Sequence, residues 1–294
     1  MSLVSTVGFG RAVIVLAVLL QAAGKVMFGT WLAAFPSPFF VLISFAITAA
    51  FFLALSRRGA GARAWGPLLV LNASTALTFL SFFYALKLIE PAIVGAVEIG
   101  VGPILAVALS AAVTGERPST VRVAVCAGVL FGCAILAAAV QGSGFSSFGR
   151  DAWLGLASSA AAGIGAVLIT VASKALLTHG WTFGAVLAHR FYLILPVSLA
   201  MTLATDTAAI EWSGVLVAAL LAVSVVGVLA PLYLLQIGIG RCDAYTVMVT
   251  MAALPVLTLA IEGFSPVYAW SWMTVAGVFV VSAFLLLDVI ARRA

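Results

Sequence analysis

Charged side chains are scarce in this sequence of 294 residues, of which Asp, Glu, Lys and Arg together make up 8%. A soluble domain carries roughly 25% charged residues, so this composition excludes a water-soluble fold. Hydrophobic residues make up 65% of the chain. The length matches ten membrane spans of about 20 residues with short connections. We therefore predict one membrane domain over residues 1–294.

Histidine and cysteine are also rare, with two and three copies respectively. Cys126 and Cys133 share one helix face, but two helical turns separate them by about 10 Å, which is beyond disulfide reach. Cys242 falls in a connecting loop, so neither a disulfide nor a metal cluster is expected. The sequence has no His-Glu-x-x-His motif and no pair of aspartates at membrane depth. We predict no catalytic residue, no metal and no cofactor, and an intramembrane enzyme is the least favoured alternative.

The net charge of +5 does not point to nucleic acid, because the basic residues stand at the ends of apolar runs and not within an aromatic binding face. Counted by alternate loops, they are biased to one side. With a cytoplasmic N-terminus, the cytoplasmic loops hold ten of them and the opposite loops hold two, Lys87 and Arg150. We therefore predict a multi-pass protein with both termini in the cytoplasm.

Long apolar runs are what the sequence has in abundance. Ten predicted membrane helices cover residues 9–34, 38–56, 66–88, 91–113, 121–140, 152–177, 183–205, 213–239, 244–262 and 270–290, approximately. The second five runs repeat the first five, because Pro103 in its run aligns with Pro255 at a shift of 152 residues. Five is an odd number, so the second copy must enter the membrane the opposite way up.

The predicted fold class is therefore an all-α integral membrane protein with ten transmembrane helices. These form two inverted five-helix repeats, one over residues 9–140 and one over residues 152–290. Inverted repeats of this kind are typical of alternating-access transporters.

The chain resembles the ten-helix form of the drug/metabolite transporter superfamily over nearly its whole length. The resemblance rests on the two-times-five layout and on the pattern Ala85-Leu86-Lys87, Pro103-Ile104-Leu105-Ala106 and Gly115-Glu116-Arg117. The second copy departs from this pattern. Glu262 follows Pro255 by seven residues, and Tyr268 stands where the first copy has Glu116.

The resemblance implies a central cavity lined by the first, third, fourth, sixth, eighth and ninth spans, which opens alternately to each side. Bacterial exporters of amino acids, including aromatic ones, are the most similar branch in size. We therefore expect an exporter of amino acids and related small metabolites in the bacterial inner (plasma) membrane, surrounded by the lipid bilayer, as a monomer or a homodimer. Other small metabolites or drugs are the alternative substrates, although Lys25 in the first span disfavours cationic drugs.

Lys25 and Glu98 are ionisable residues deep in predicted spans, where a lipid-facing charge costs roughly 2.5–3.5 kcal/mol. Helical rise places them at similar depths, about 14 Å and about 10 Å from one end of their spans. Lys25 would meet a carboxylate and Glu98 an ammonium, which is the charge pattern of a zwitterionic amino acid. A purely structural ion pair and a proton-carrying role for Glu98 are the alternatives.

Arg190 is the third deep charge, in the seventh span beside His189. Its long side chain can reach the headgroups, so we expect it to snorkel away from the membrane centre. His189 is expected to be hydrogen-bonded packing, with a pH-sensitive role as the alternative.

Further candidates for the substrate site lie on several spans. Asn72, Thr75 and Phe79 follow a helical spacing on the third span, where cavity lining and interhelical hydrogen bonding are equally open. The remaining candidates are Tyr84, Ser224, Tyr233, Gln236 and Thr250, the last being the repeat counterpart of Glu98. Tyr84 is alternatively an aromatic anchor at the membrane interface. Prolines inside spans remove a backbone hydrogen bond, so Pro103, Pro231 and Pro255 are the predicted hinges.

Overall fold

A computed structural model describes most of the chain. The described residues are 3–55, 64–114, 119–142, 149–205, 207, 210–239, 241, 247, 250–268 and 271–291. Every regular element among these residues is a helix, in agreement with the predicted all-α class. The segments Gly115–Arg117 and Cys242 lie outside them, so the structure does not test the predictions made there.

The helices follow the apolar runs closely. They are α1 Leu3–Trp31, α2 Ser37–Leu55, α3 Trp65–Leu88, α4 Pro91–Thr114, α5 Thr120–Gly142, α6 Arg150–Thr178, α7 Phe183–Ala188, α8 Ile194–Leu203, α9 Gly214–Ala222, α10 Ala230–Ile239, α11 Leu254–Glu262 and α12 Trp272–Ala291. Between α9 and α10 the chain forms a π-helix over Val223–Leu229, which we call the π segment.

Seven helices in the described part are long and apolar enough to cross a membrane. They are Gly8–Trp31, Ser37–Leu55, Trp65–Leu88, Thr120–Val140, Arg150–Thr178, Gly214–Leu235 and Trp272–Ile290. The shorter apolar helices Pro91–Leu105, Ile194–Leu203 and Thr250–Glu262 lie at the predicted fourth, seventh and ninth spans. Ten full spans are therefore not confirmed, although each predicted run contains an apolar helix.

The seventh run is not the single helix that its hydropathy predicts. It breaks at residues 189–193, between α7 and α8. Pro196 has no N–H, so it cannot donate to the carbonyl four residues earlier. Asn72 of α3 supplies partners from outside: its Nδ2 donates to the carbonyl of His189 at 3.0 Å, and its Oδ1 accepts from the N–H of Tyr192 at 2.8 Å. An apolar environment tolerates such a break because another helix satisfies the exposed backbone groups.

The eighth run contains the π segment directly before Pro231. Because Pro231 lacks an N–H, the regular ladder fails here, and the N–H of Ala230 donates to the carbonyl of Val225, five residues back. The wider turn presses against α1, since a Cβ added to Gly227 would lie 2.8 Å from the Cα of Gly24. Only glycine allows the two backbones to approach this closely.

The two aligned prolines occupy different surroundings. Pro103 lies inside α4, which continues through it to Thr114. Pro255 stands in the first turn of α11, after a break at Ala253. The first turn of a helix tolerates proline, because an N–H there has no partner within the helix. Pro255 therefore begins a helix, and the predicted bend of a continuous ninth span is a break.

The packing of the helices exchanges partners between the two halves of the chain. α3 packs along α6, and α1 packs along the π segment and α10. α5 packs on α12, α4 on α11, and α2 on α8. In a repeat of five runs, the third run corresponds to the eighth and the first to the sixth. Packing of the third run on the sixth, and of the eighth on the first, is therefore the exchange that a two-fold repeat requires. The repeat and its inverted orientation in a membrane both stay predictions.

Candidate functional site

Lys25 and Glu98 meet inside the bundle. The Nζ atom of Lys25 lies 3.2 Å from Oε2 of Glu98, and their side chains are 4% and 18% exposed. The ammonium also lies over the ring of Phe82, 4.7 Å from its centroid. The contact agrees with the similar depths predicted for the two residues, and it is the ion pair that was the structural alternative to substrate binding.

A small cavity of about 40 Å³ opens beside this ion pair. Its wall combines the charged pair with aromatic rings of α3, Phe79 and Phe82, and with the amide of Gln21 on α1. The opposite wall is the π segment together with Pro231 at the start of α10. The site can thus offer one cation, one anion and flat apolar surface to a small molecule.

Four of the predicted site residues therefore lie together: Lys25, Phe79, Glu98 and the hinge candidate Pro231 all line this cavity. Its walls come from the first, third, fourth and eighth runs, four of the six that the family resemblance implies. No residue of the sixth or ninth run is among its described lining residues. The other predicted site residues lie elsewhere or are engaged by other groups.

Asn72 and Thr75 form structural hydrogen bonds. Besides holding the break at residues 189–193, Asn72 donates to the carbonyl of Leu68 at 3.0 Å. Thr75 is fully buried and its hydroxyl donates to the carbonyl of Leu71 at 2.7 Å. Of the two interpretations left open by the sequence, the structure supports hydrogen bonding within and between helices.

Ser224, Tyr233 and Tyr84 also face away from the cavity. The hydroxyl of Ser224 lies 2.7 Å from that of Ser44 on α2, and Ser224 is fully buried. The ring of Tyr233 packs against Phe51, with centroids 5.6 Å apart. Tyr84 is 43% exposed and lines a surface groove, which fits the alternative of an interface anchor.

The remaining candidates are placed only in part. The backbone of Gln236 belongs to α10, and its side chain lies outside the described part of the structure. The carbonyl of Thr250 accepts from the N–H of Ala253 at 3.2 Å, at the break before α11. Thr250 is not among the residues that line the cavity.

Two buried carboxylates near the start of α4 were not among the predicted site residues. Glu90 and Glu262 are each 4% exposed. Glu262 accepts from the N–H of Ala92 at 2.6 Å, and Thr274 donates to Glu90 at 3.3 Å. Burial raises the pKa of the Glu90 carboxyl, and the hydrogen bond from Thr274 partly offsets this.

The two carboxylates were not predicted as site residues because they lie at the ends of apolar runs, where charged residues are common. Pro91 was the available signal. A proline that opens a helix directly after a glutamate marks an N-terminus whose free N–H groups attract a carboxylate. Together, Glu90 and Glu262 tie α4 to α11 and α12 at this end of the bundle.

Arg190 does not snorkel, so that expectation is wrong. Its side chain is 7% exposed. The guanidinium carbon lies 5.8 Å from the ring centroid of Phe79 and 5.6 Å from that of Phe191. The break between α7 and α8 directs the residue inward, whereas the sequence analysis assumed a regular helix.

Cys126 and Cys133 are free thiols, as their spacing predicted. No group of three or more His, Cys, Asp or Glu side chains that could hold a metal ion occurs among the described residues.

Residues 8–138 match the EamA-like transporter family. No curated protein sequence matches the chain, whereas 13 chains of solved structures do. One is a crystal structure whose title states no function. It has a TM-score of 0.65 and 22% identity, covering 98% of this chain and 97% of its own. At that identity the likeness shows the fold alone.

The apolar helices support a multi-pass membrane protein, and the family match over residues 8–138 points to a transporter of small metabolites. A transporter family is also consistent with the expectation that the chain is not an enzyme.

Proposed function

We propose that this protein is an alternating-access transporter that exports amino acids, aromatic ones among them, and related small metabolites across a bacterial inner membrane. The observation that carries the proposal is the ion pair of Lys25 and Glu98 in the wall of a cavity lined by aromatic rings.

A zwitterion suits this pair because it carries one charge that can replace Glu98 as the partner of Lys25 and another that can replace Lys25 as the partner of Glu98. Its carboxylate would accept from Lys25 while its ammonium donates to Glu98, so that neither buried charge loses a partner when the 3.2 Å contact opens. A buried charge left without a partner is strongly unfavourable. A substrate with a single charge would leave one of the two residues in that state.

The rings of Phe79, Phe82 and Phe83 favour an apolar or aromatic side chain on the substrate. Aromatic pairs contribute about 0.5–1.5 kcal/mol beyond the burial of their area. Phe82 also holds Lys25 by a cation–π contact, so the apolar and the charged parts of the site adjoin.

Alternating access requires a wall that can change shape beside the substrate. The π segment and Pro231 form such a wall, and π-helical turns are frequent at functional sites. The exchange of packing partners between the two halves supports the predicted repeat, in which one half rocks against the other.

The test is counterflow in proteoliposomes, with phenylalanine, alanine, glutamate, lysine, a sugar phosphate and a lipophilic cation compared at two pH values. Phenylalanine should exchange. Lys25→Met and Glu98→Gln should each lower its exchange by about tenfold or more, because a charge-assisted contact is lost. The exposed controls Lys174→Met and Glu211→Gln should retain it.

Absence of exchange for every amino acid would contradict the substrate class, and exchange of the sugar phosphate or the cation alone would favour the alternative substrates. If the double variant Lys25→Met/Glu98→Gln transports phenylalanine at the normal rate, the ion pair is structural. A response to a pH gradient that Glu98→Gln abolishes would assign proton coupling to Glu98.

A further inference from the structure

Arg190 is a buried cation with no partner of opposite charge among the residues that the structure describes. It has neither an ion pair nor a hydrogen bond to any residue in the described part of the chain, and its Nε is buried without an acceptor. Charged residues inside a membrane bundle ordinarily pair with each other or with backbone carbonyls. The rings of Phe79 and Phe191 satisfy part of this requirement by cation–π contacts with the guanidinium. They accept no hydrogen bond from its N–H groups in the plane of the guanidinium.

The direction of Arg190 is set by the backbone around it. Asn72 binds the carbonyl of His189 on one side of Arg190 and the N–H of Tyr192 on the other. A side chain of α3, buried at 5% exposure, thus fixes the irregular segment from both sides. An arginine held in this way is preorganised for binding, since little further ordering is needed when a ligand arrives.

The ring of Phe79 connects Arg190 to the cavity. Phe79 is a lining residue of the cavity that contains the Lys25–Glu98 pair, and it also lies under the guanidinium at 5.8 Å. Lys25 rests on Phe82 in the same manner, three residues further along the same helix face. Two cations are thus held on neighbouring rings of α3, and rotation of Phe79 would bring the second to the cavity wall.

The charges of this region do not balance. Lys25 and Glu98 neutralise each other, and Arg190 adds one positive charge for which the described residues near it provide no counterion. A planar guanidinium matches a carboxylate with two parallel hydrogen bonds. The ligand class that this arrangement fits is a small molecule with a carboxylate.

We propose that Arg190 is a carboxylate-binding residue of the transport site, which engages the substrate when Phe79 rotates and makes the site select carboxylates over otherwise identical amides. This inference rests on the proposed function, because it takes the cavity beside Lys25 and Glu98 as the transport site.

The experiment compares phenylalanine with phenylalanine amide, which keeps the ring and the ammonium but lacks the carboxylate. Binding of each to purified protein in nanodiscs is measured by calorimetry for wild type, Arg190→Gln, Arg190→Lys and the exposed control Arg122→Gln. Wild type should prefer the acid by about tenfold or more. Arg190→Gln should lower this preference several-fold, leaving the part that Lys25 supplies, while the affinity for the amide changes by about twofold at most.

Arg190→Lys keeps the charge without the fork, so its preference should be intermediate, and Arg122→Gln should behave as wild type. The thermal midpoint of each variant is recorded to establish folding. Arg190→Gln that keeps the full preference, or that weakens both ligands equally, overturns the inference while the proposed function stands. A wild type that binds neither ligand and exchanges no amino acid overturns both.

Discussion

The two halves of the chain differ in the regularity of their helices. From α1 to α5 each helix is unbroken over the described residues, whereas the second half is interrupted at residues 189–193, at the π segment and at Ala253. Lys25 and Glu98 come from unbroken helices of the first half. The facing wall, with Pro231, comes from an interrupted helix of the second half.

This difference indicates a division of roles. A regular helix satisfies its own backbone in an apolar medium, so it can hold a charged side chain in one direction without further support. An irregular segment depends on partners from other helices, and exchange of such partners allows discrete changes of shape. Under the proposed function, the first half would hold Lys25 and Glu98 in fixed directions, and the irregular second half would change shape and supply Arg190.

The largest effect should come from the contact that joins the halves. Gly24→Ala places a methyl group against the Cα of Gly227 in the π segment, where the backbones cannot separate without displacing α1. We expect a loss of about 1–3 kcal/mol in the free energy of unfolding and the loss of most transport activity. The loss is measured by chemical denaturation in micelles and by counterflow.

Gly8→Ala is the matched control for this prediction, since it lies on the same helix and a Cβ there meets nothing within 4 Å. It should leave stability and transport unchanged. If Gly24→Ala transports normally, the close approach of α1 to the π segment has no role in the cycle, and the proposed division between the halves fails.

An intermediate effect is expected where the regular half supports the irregular one. Asn72→Ala removes four hydrogen bonds at 2.8–3.4 Å, three of them to the break at residues 189–193. Unsatisfied backbone groups in an apolar interior cost about 1–3 kcal/mol, partly relieved by rearrangement. We expect lower stability and faster hydrogen exchange at Tyr192, measured by mass spectrometry.

Ser74→Ala provides the comparison, because Ser74 lies near Asn72 on α3. Among the described residues, its hydroxyl donates only to carbonyls of its own helix, those of Val70 and Leu71. It should have little effect on either measurement. Unchanged exchange at Tyr192 in Asn72→Ala would mean that the break persists without support from α3.

The smallest effect is expected at the contact of Ser44 with Ser224, 2.7 Å apart between α2 and the π segment. Interhelical hydrogen bonds in membranes average about 0.6 kcal/mol. A double-mutant cycle of Ser44→Ala and Ser224→Ala should give a coupling energy of this size, with phenylalanine affinity unchanged. A selective loss of affinity in Ser224→Ala would instead return Ser224 to the substrate site.

Much of the order and extent of the helices could be predicted from the sequence, because runs of high hydropathy mark the segments that are buried away from water. The interruptions could not. Pro196 signals that a donor is missing in the seventh run, but the outcome depends on Asn72, which lies 117 residues away from its partner His189. Only the tertiary structure shows whether a helix with a missing backbone hydrogen bond bends, forms a wider π turn, or breaks with its free backbone groups bound by another helix.

The candidate site divides in the same way. The similar depths of Lys25 and Glu98 were predictable because depth along a helix follows from residue number. Helical periodicity predicted Phe79 as a site residue, but the same spacing also included Asn72 and Thr75. The amide of Asn72 and the hydroxyl of Thr75 are instead hydrogen-bonded to backbone carbonyls. Periodicity identifies a helix face, and it does not state which neighbour covers that face.

By itself the sequence determined that this protein lies in a membrane, the order of its apolar helices and the depth of its buried charges. These depend on composition and on the constant rise of a helix. The tertiary structure decided that Lys25 pairs with Glu98 beside a cavity, that Arg190 turns inward, and that Glu262 binds the start of α4. Such contacts depend on which helices adjoin and where their backbones depart from regularity, and both are set by packing across the whole bundle.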